Sequence, residues 1–262
     1  MKNQRPETPA GDASEREGKT PSPQTTARRG SRPAASHEGK MPSPRAGETP
    51  ATRKDEAPSA NRGRRLHAIR AHYEPRISPA MEHYEILDWA SPRTQEARFR
   101  VLADNVELGG RSLLDVGCGL GDLRAYLLGR GIAVEYTGVD VSPPMVQAAL
   151  ERQPDGRFLC ADLFGEEEVF PESSFDVVYC SGIFNLDLGN NEDFVPQAVA
   201  RFLGLARRHV ACNMLHKRAG DSDGTYFFYD PLEVLARLRP LGCRVRLIDD
   251  YLPNDFTLIC EK

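Results

Sequence analysis

Beyond residue 90 the chain alternates between two kinds of apolar spacing. Short apolar blocks at 112–116, 135–139, 158–163, 175–180, 210–214, 244–248 and 256–260 read as strands. Between most of them the apolar residues fall three and four apart, the period of a helix. Ser91 is placed to cap the first of these helices and Pro92 to open it, with Ala97, Val101, Leu102 and Val106 on one face and Gly109-Gly110 as its stop. Further helices are predicted over 121–128, ended by Gly129-Arg130-Gly131, and from 143 or 144 to 152, capped by Ser142. Another starts at the cap Asn191, with Glu192 and Asp193 in its first turn and Arg207-Arg208 at its end, a charge order that suits the helix dipole. A last one over 232–238 opens at Asp230-Pro231 and closes at Pro240 and Gly242. Strands alternating with helices make a mostly parallel sheet, and block 175–180 is apolar enough to be buried on both faces.

The first 65 residues follow neither period. They contain no Leu, Ile, Val, Phe, Tyr or Trp and are crowded with Pro, Ser, Thr, Ala, Gly, Arg and Lys. Such a segment buries too little apolar surface to offset the entropy of ordering, and it is expected to be disordered. It holds 14 Lys and Arg against 8 Asp and Glu, a net of +6; the remaining 20 against 30 give residues 66–262 a net of −10. A basic arm on an acidic domain suits a weak anionic partner for the arm. A solvated tail or a start-site artefact explains the same composition. The expected division is a basic tail over 1–65, a cap and helix over 66–110, and a core over 111–262. No stretch approaches the roughly twenty apolar residues of a membrane span, and the N-terminus has no apolar signal core, so a cytoplasmic location is expected. The six cysteines form no CxxC pair, and His67, His72 and His83 lack metal-ligand spacing, so no metal site is expected.

The chemistry gathers where the first strand breaks into glycines, in the run Leu113-Leu114-Asp115-Val116-Gly117-Cys118-Gly119-Leu120-Gly121-Asp122. Glycines after a strand let backbone amides approach a ligand at a helix N-terminus, and the acid Asp140, about twenty residues on at the end of the second strand, offers a carboxylate to a ribose. The dinucleotide fingerprint would place its third glycine where Asp122 stands. Asp115 would repel a pyrophosphate and pair with a cation. A nucleoside carrying a zwitterionic amino acid suits both ends.

The pattern Asp115-x-Gly117-x-Gly119-x-Gly121 resembles the first motif of the class I S-adenosylmethionine (SAM) dependent methyltransferases. Asp140, the strand ending at Asp162, and Ser174-Phe175-Asp176-Val177-Val178-Tyr179-Cys180-Ser181 follow in the family's order, so the resemblance covers about 85–262. It implies a three-layer α/β sandwich on a seven-stranded, mostly parallel sheet whose last strand is antiparallel, with SAM as methyl donor. By the same resemblance Gly117, Gly119 and Gly121 wrap the methionine part, Asp115 neighbours its ammonium, and Asp140 takes the ribose hydroxyls. Asp162 would take the exocyclic amine of adenine, with the Leu163 backbone beside the ring. Met145 either covers the adenine or packs the core. Ser181 and residues 182–185 would face the methyl group.

Methyl transfer from a sulfonium is an in-line displacement that orientation and desolvation can drive. Tyr84, Trp89, Gln95 and Arg98 lie where this fold places a cap. There Arg98 either pairs with the methionine carboxylate or is solvated, with Trp89 anchoring the helix. An acceptor that must lose a proton needs a base, and His216, on the loop after the fifth strand, is the candidate, with Lys217 and Arg218 as receivers of a carboxylate. The loop after the fourth strand, Ser181-Gly182-Ile183-Phe184-Asn185, is neither the Asn-Pro-Pro-aromatic signature of nucleic-acid amino-methyltransferases nor the two-glutamate loop of arginine methyltransferases. The acidic balance opposes nucleic acid on the core. The expectation is an enzyme acting on a small molecule. A SAM-binding regulatory or scaffolding protein acting through its basic tail, and a nucleotide-dependent oxidoreductase on a similar fold, stand as alternatives.

Overall fold

The computed structural model describes residues 58–220 and 224–262. In chain order its helices are α1 (Pro58–Tyr73), α2 (His83–Ile86), α3 (Pro92–Asn105), α4 (Asp122–Gly129), α5 (Pro143–Arg152), α6 (Asn191–Leu205) and α7 (Pro231–Leu238). Its strands are β1 (Arg111–Val116), β2 (Val134–Asp140), β3 (Phe158–Cys160), β4 (Phe175–Ser181), β5 (Ala206–Leu215), β6 (Arg244–Ile248) and β7 (Asp255–Glu261). The cap signals act as expected. Ser91 accepts the Thr94 amide at 3.2 Å, Ser142 the Met145 amide at 3.4 Å, and Asp230 the Leu232 amide at 2.9 Å, each just before a proline that opens its helix.

The strands form one sheet in the order β3-β2-β1-β4-β5-β7-β6, parallel except for β7, which runs against both β5 and β6. One face packs Leu113, Val177, Ala211 and Ile259 beneath Phe99 and Leu102 of α3 and Leu123 and Leu127 of α4. The other packs Leu114, Val178, Val210 and Leu258 beneath Val195, Val199 and Phe202 of α6 and Val234 and Leu238 of α7. The result is the three-layer α/β sandwich that the resemblance implies, on the mostly parallel sheet that the alternation of periods predicts. No helix among the described residues is long and apolar enough to cross a membrane.

Several boundaries differ, among them β3, which stops at Cys160 and leaves Asp162 in the loop beyond it rather than in the expected strand 158–163. Asn191 is the first residue inside α6 rather than its cap, because its amide side chain is drawn into the fold, donating to Leu186 O at 2.7 Å and to Phe184 O at 3.2 Å. Arg207-Arg208 do not end that helix. β5 starts at Ala206 with no loop, and the two arginines sit on its exposed beginning, where Arg207 Nε meets Asp176 Oδ1 at 3.1 Å. Finally, the folded part starts before residue 66. α1 begins at Pro58, and its Arg62 pairs with Asp162 at 2.7 Å, so residues 58–65 are held by charge where apolar side chains are missing. Residues 1–57 of the expected tail lie outside the described residues.

Candidate active site

β1 ends in backbone that only glycine adopts readily. Gly117, Gly119 and Gly121 have φ of 73°, 53° and 78°, in the left-handed region. A Cβ on Gly119 would stand 2.7 Å from Leu87 Cδ2, and one on Gly117 would strike Ile183 Cγ2, so the chain reverses in space that no side chain fits. Val139 O holds the turn by accepting the Gly117 and Cys118 amides at 2.8 and 3.1 Å. Asp140, ending β2, holds its far side: Oδ2 accepts the Gly119 amide at 3.0 Å and Oδ1 the Ser142 amide at 2.9 Å. Burial raises the Asp140 pKa, and these amides work in the other direction.

Above this turn lies a cavity lined on the sheet side by Asp115, Gly117, Gly119, Asp140 and Tyr179, and roofed by Trp89, Gln95 and Phe99. Asp115 is buried, and the Tyr136 hydroxyl donates to its Oδ2 at 2.6 Å. Burial, with the charges of Asp140 and Asp122 behind it, pushes the Asp115 carboxyl up to about 7 despite that hydrogen bond. Such an acid is short of a cation. Asp122, in the first turn of α4, accepts Gln95 Nε2 at 3.0 Å and faces His83 Nδ1 at 3.0 Å.

Met145, Leu163 and Ser181 also line the cavity. Asp162 is there too, but its carboxylate is taken: Oδ2 accepts Arg62 Nε at 2.7 Å and Oδ1 the Phe164 amide at 3.0 Å, with Arg65 Nη2 at 3.8 Å. Gly121 lies outside the lining, its α-carbon turned to the Phe158 ring. His216 is also outside it. Its Nδ1 accepts the Arg218 amide at 3.1 Å, and its ring stands edge-on to Phe256, where burial lowers its pKa. Arg218 binds the carbonyls of Pro253 and Leu252 at 2.6 and 3.1 Å, tying down the β6–β7 connection. Asn185, Tyr229 and Tyr251 do not line the cavity either.

Arg98 fits neither expectation. It is 3% exposed, it grips Asp255 with Nη2 to Oδ2 at 2.6 Å and Nε to Oδ1 at 3.2 Å, and it lies 4.1 Å from the Trp89 ring centroid. The sequence reading also missed a whole wall, made by Arg65, Leu66, Ile69 and Tyr73 of α1. Leu66, Ile69 and Tyr73 stand three and four apart, a helical stripe that was there to be read.

A methyltransferase domain model matches residues 113–206, from β1 through α6. A methyltransferase-family protein of Mycobacterium tuberculosis is 30% identical over 161 residues, covering 58% of this chain and 93% of that protein. The chain belongs to the class I SAM-dependent methyltransferases. Trans-aconitate 2-methyltransferase of Enterobacter sp. (strain 638) is 36% identical over 98 residues, but the match spans only 36% of either chain. Magnesium protoporphyrin IX methyltransferase from Synechocystis PCC 6803, solved with S-adenosylhomocysteine (SAH), shares the fold at a TM-score of 0.55 and 15% identity, over 76% of this chain and 99% of that one. SAM is the methyl donor of this methyltransferase, and its site fits the molecule: a glycine turn no Cβ can enter, with the carboxylates Asp115 and Asp140 beside it.

Proposed function

We propose that this methyltransferase moves the methyl group of SAM to a small acceptor whose reacting end is uncharged, by in-line displacement. The observation that carries the reading is the placement of Asp115, Asp140 and the Gly117–Gly119 turn on one cavity. Asp115 is the partner for the ammonium, Asp140 for the ribose hydroxyls, and Met145 and Leu163 for the adenine. SAM supplies an electrophilic methyl on a good neutral leaving group, so the chain's task is to orient the partners and exclude water. Past Ser181 the wall continues through Gly182, Ile183, Leu186 and Trp89, none of them charged. Arg98, behind this wall, is committed to Asp255, and the guanidinium that does line the cavity, Arg65, faces Asp162 on the α1 side, which supports a reacting end without charge. No histidine among the described residues lines this cavity, so positioning carries the rate and a base, where needed, comes from the acceptor or solvent.

The test is turnover of SAM to SAH by the full chain with fractionated small-molecule extracts. Product in a fraction identifies the acceptor. SAM binding without turnover in any fraction would favour the regulatory or scaffolding alternative.

A further inference from the structure

Among the described residues, three buried side-chain polar atoms have no hydrogen-bond partner: Tyr179 Oη, Asn185 Oδ1 and His209 Nδ1. Of these residues Tyr179 alone lines the cavity, and it is 1% exposed. A buried hydroxyl left unpaired destabilises a protein, and one kept at a binding cavity points to a ligand that completes it.

The position says which part of the ligand. Tyr179 stands directly across the β1–β4 ladder from Asp115, on strands that run about 4.8 Å apart. An α-amino acid carries its ammonium and its carboxylate on the same carbon. With the ammonium on Asp115, the carboxylate falls beside the neighbouring strand and needs a donor there. Three donors near it are already engaged, and Arg65, on the α1 wall of the cavity, faces Asp162 Oδ1 at 3.8 Å. Arg98 is clamped on Asp255 and also gives Nη1 to Thr94 O at 2.6 Å. Gln95 gives its Nε2 to Asp122. The Ser181 hydroxyl approaches the Tyr179 phenol closely enough to lower its pKa as a hydrogen-bonding neighbour does, but it falls outside hydrogen-bond geometry with it and is directed to Asn213 Oδ1 at 3.3 Å.

We infer that Tyr179 Oη donates to the carboxylate of the methionine moiety of SAM, a neutral hydroxyl doing what the arginine of the cap is not free to do. Burial holds the phenol proton well above its ordinary pKa, so the donor persists across the working pH range. The inference rests on the donor occupying this cavity.

The experiment is calorimetry on the full chain and on Tyr179→Phe with two ligands: SAH, and S-adenosyl-3-thiopropylamine, which lacks only the carboxylate. Phenylalanine should weaken SAH by about tenfold or more and leave the amine within about twofold, because a hydrogen bond to a charged group is lost in one case only. The melting temperature of the ligand-free variant should not fall, since an unpaired hydroxyl has been removed. Unchanged SAH affinity, or equal loss for both ligands, overturns the inference while leaving the donor site in place. If the variant fails to fold, the wild type decides: SAH must bind about tenfold or more tighter than the amine, and equal affinities overturn the inference. A wild-type chain that binds neither ligand overturns the donor-site reading itself.

Discussion

The two walls of the cavity are built on different principles. The sheet wall is the end of β1, β2 and β4, strands joined by ladder hydrogen bonds and backed on both faces by apolar cores. The opposite wall is α1, which is held mainly by polar contacts. Arg62 meets Asp162, Arg70 reaches Val141 O at 2.7 Å, and the short turn Glu74–Arg76 after it accepts Ser142 Oγ on Glu74 at 3.0 Å. Asp88 gathers His72 at 2.7 Å, Arg76 at 2.9 Å and the Tyr226 hydroxyl. Water exclusion fixes the first wall and is indifferent to salt, whereas the pairs of the second are screened as ionic strength rises. The same cavity is therefore backed by packed apolar cores on one side and closed by salt-sensitive polar contacts on the other.

The sharpest way to break this contrast is at the sheet wall. Asp140→Ala removes the ribose acceptor and also the clamp on Gly119 and Ser142, and SAH affinity by calorimetry should fall by about tenfold or more. Less than threefold would show that the sheet edge does not read the nucleoside.

Next in size is Asp115, whose effect depends on pH. Its folded pKa, about 7 against an ordinary 3.8, means that the ligand-free folded state holds a proton that the unfolded chain gives up. Its contribution to ligand-free stability is therefore fully present below about pH 4 and is lost as pH rises through 7. Asp115→Asn should flatten that decline and raise the melting temperature at pH 8. An ammonium favours the carboxylate, so wild-type SAM affinity should tighten between pH 6 and 8 with uptake of the ligand and release of a proton, and the variant should lose that slope. A wild-type affinity flat across this range would count against an ammonium at Asp115.

The α1 wall should give smaller numbers. A chain starting at residue 58 should match the full chain in SAH affinity. One starting at 66 lacks Arg62 and Arg65 and should bind SAH several-fold more weakly at low salt, with the gap narrowing at high salt, because Arg62 is partly exposed although Asp162 and Arg65 are each only 10% exposed. A gap undiminished at high salt would mean α1 acts through packing. Smallest of all is His216→Ala, remote from both walls, which should leave donor affinity and maximal rate within about twofold; a hundredfold loss of rate would restore it as a general base.

What the sequence disclosed was whatever it encodes locally. Ser91-Pro92, Ser142-Pro143 and Asp230-Pro231 place three helix starts, and the glycine run with Asp140 places the turn of the site, because cap and partner lie within a few residues or follow a fixed strand-helix-strand spacing. The contacts that eluded it join distant positions. Arg98 finds Asp255 and Arg62 finds Asp162 across separations of 157 and 100 residues, and no local rule says that a solvated-looking arginine has a buried partner. Arg207-Arg208 misled for the opposite reason: their charges do suit a helix end, and only the immediate start of β5 takes them out of the helix.

Among the described residues four acids line the cavity, Asp115, Asp122, Asp140 and Asp162, the last already paired with Arg62, against the single guanidinium of Arg65. The sulfonium that enters this anionic chamber becomes a neutral thioether the moment its methyl departs. Part of the attraction that retained the molecule is therefore expected to disappear with the reaction itself, a difference that calorimetry of SAM against SAH reads directly.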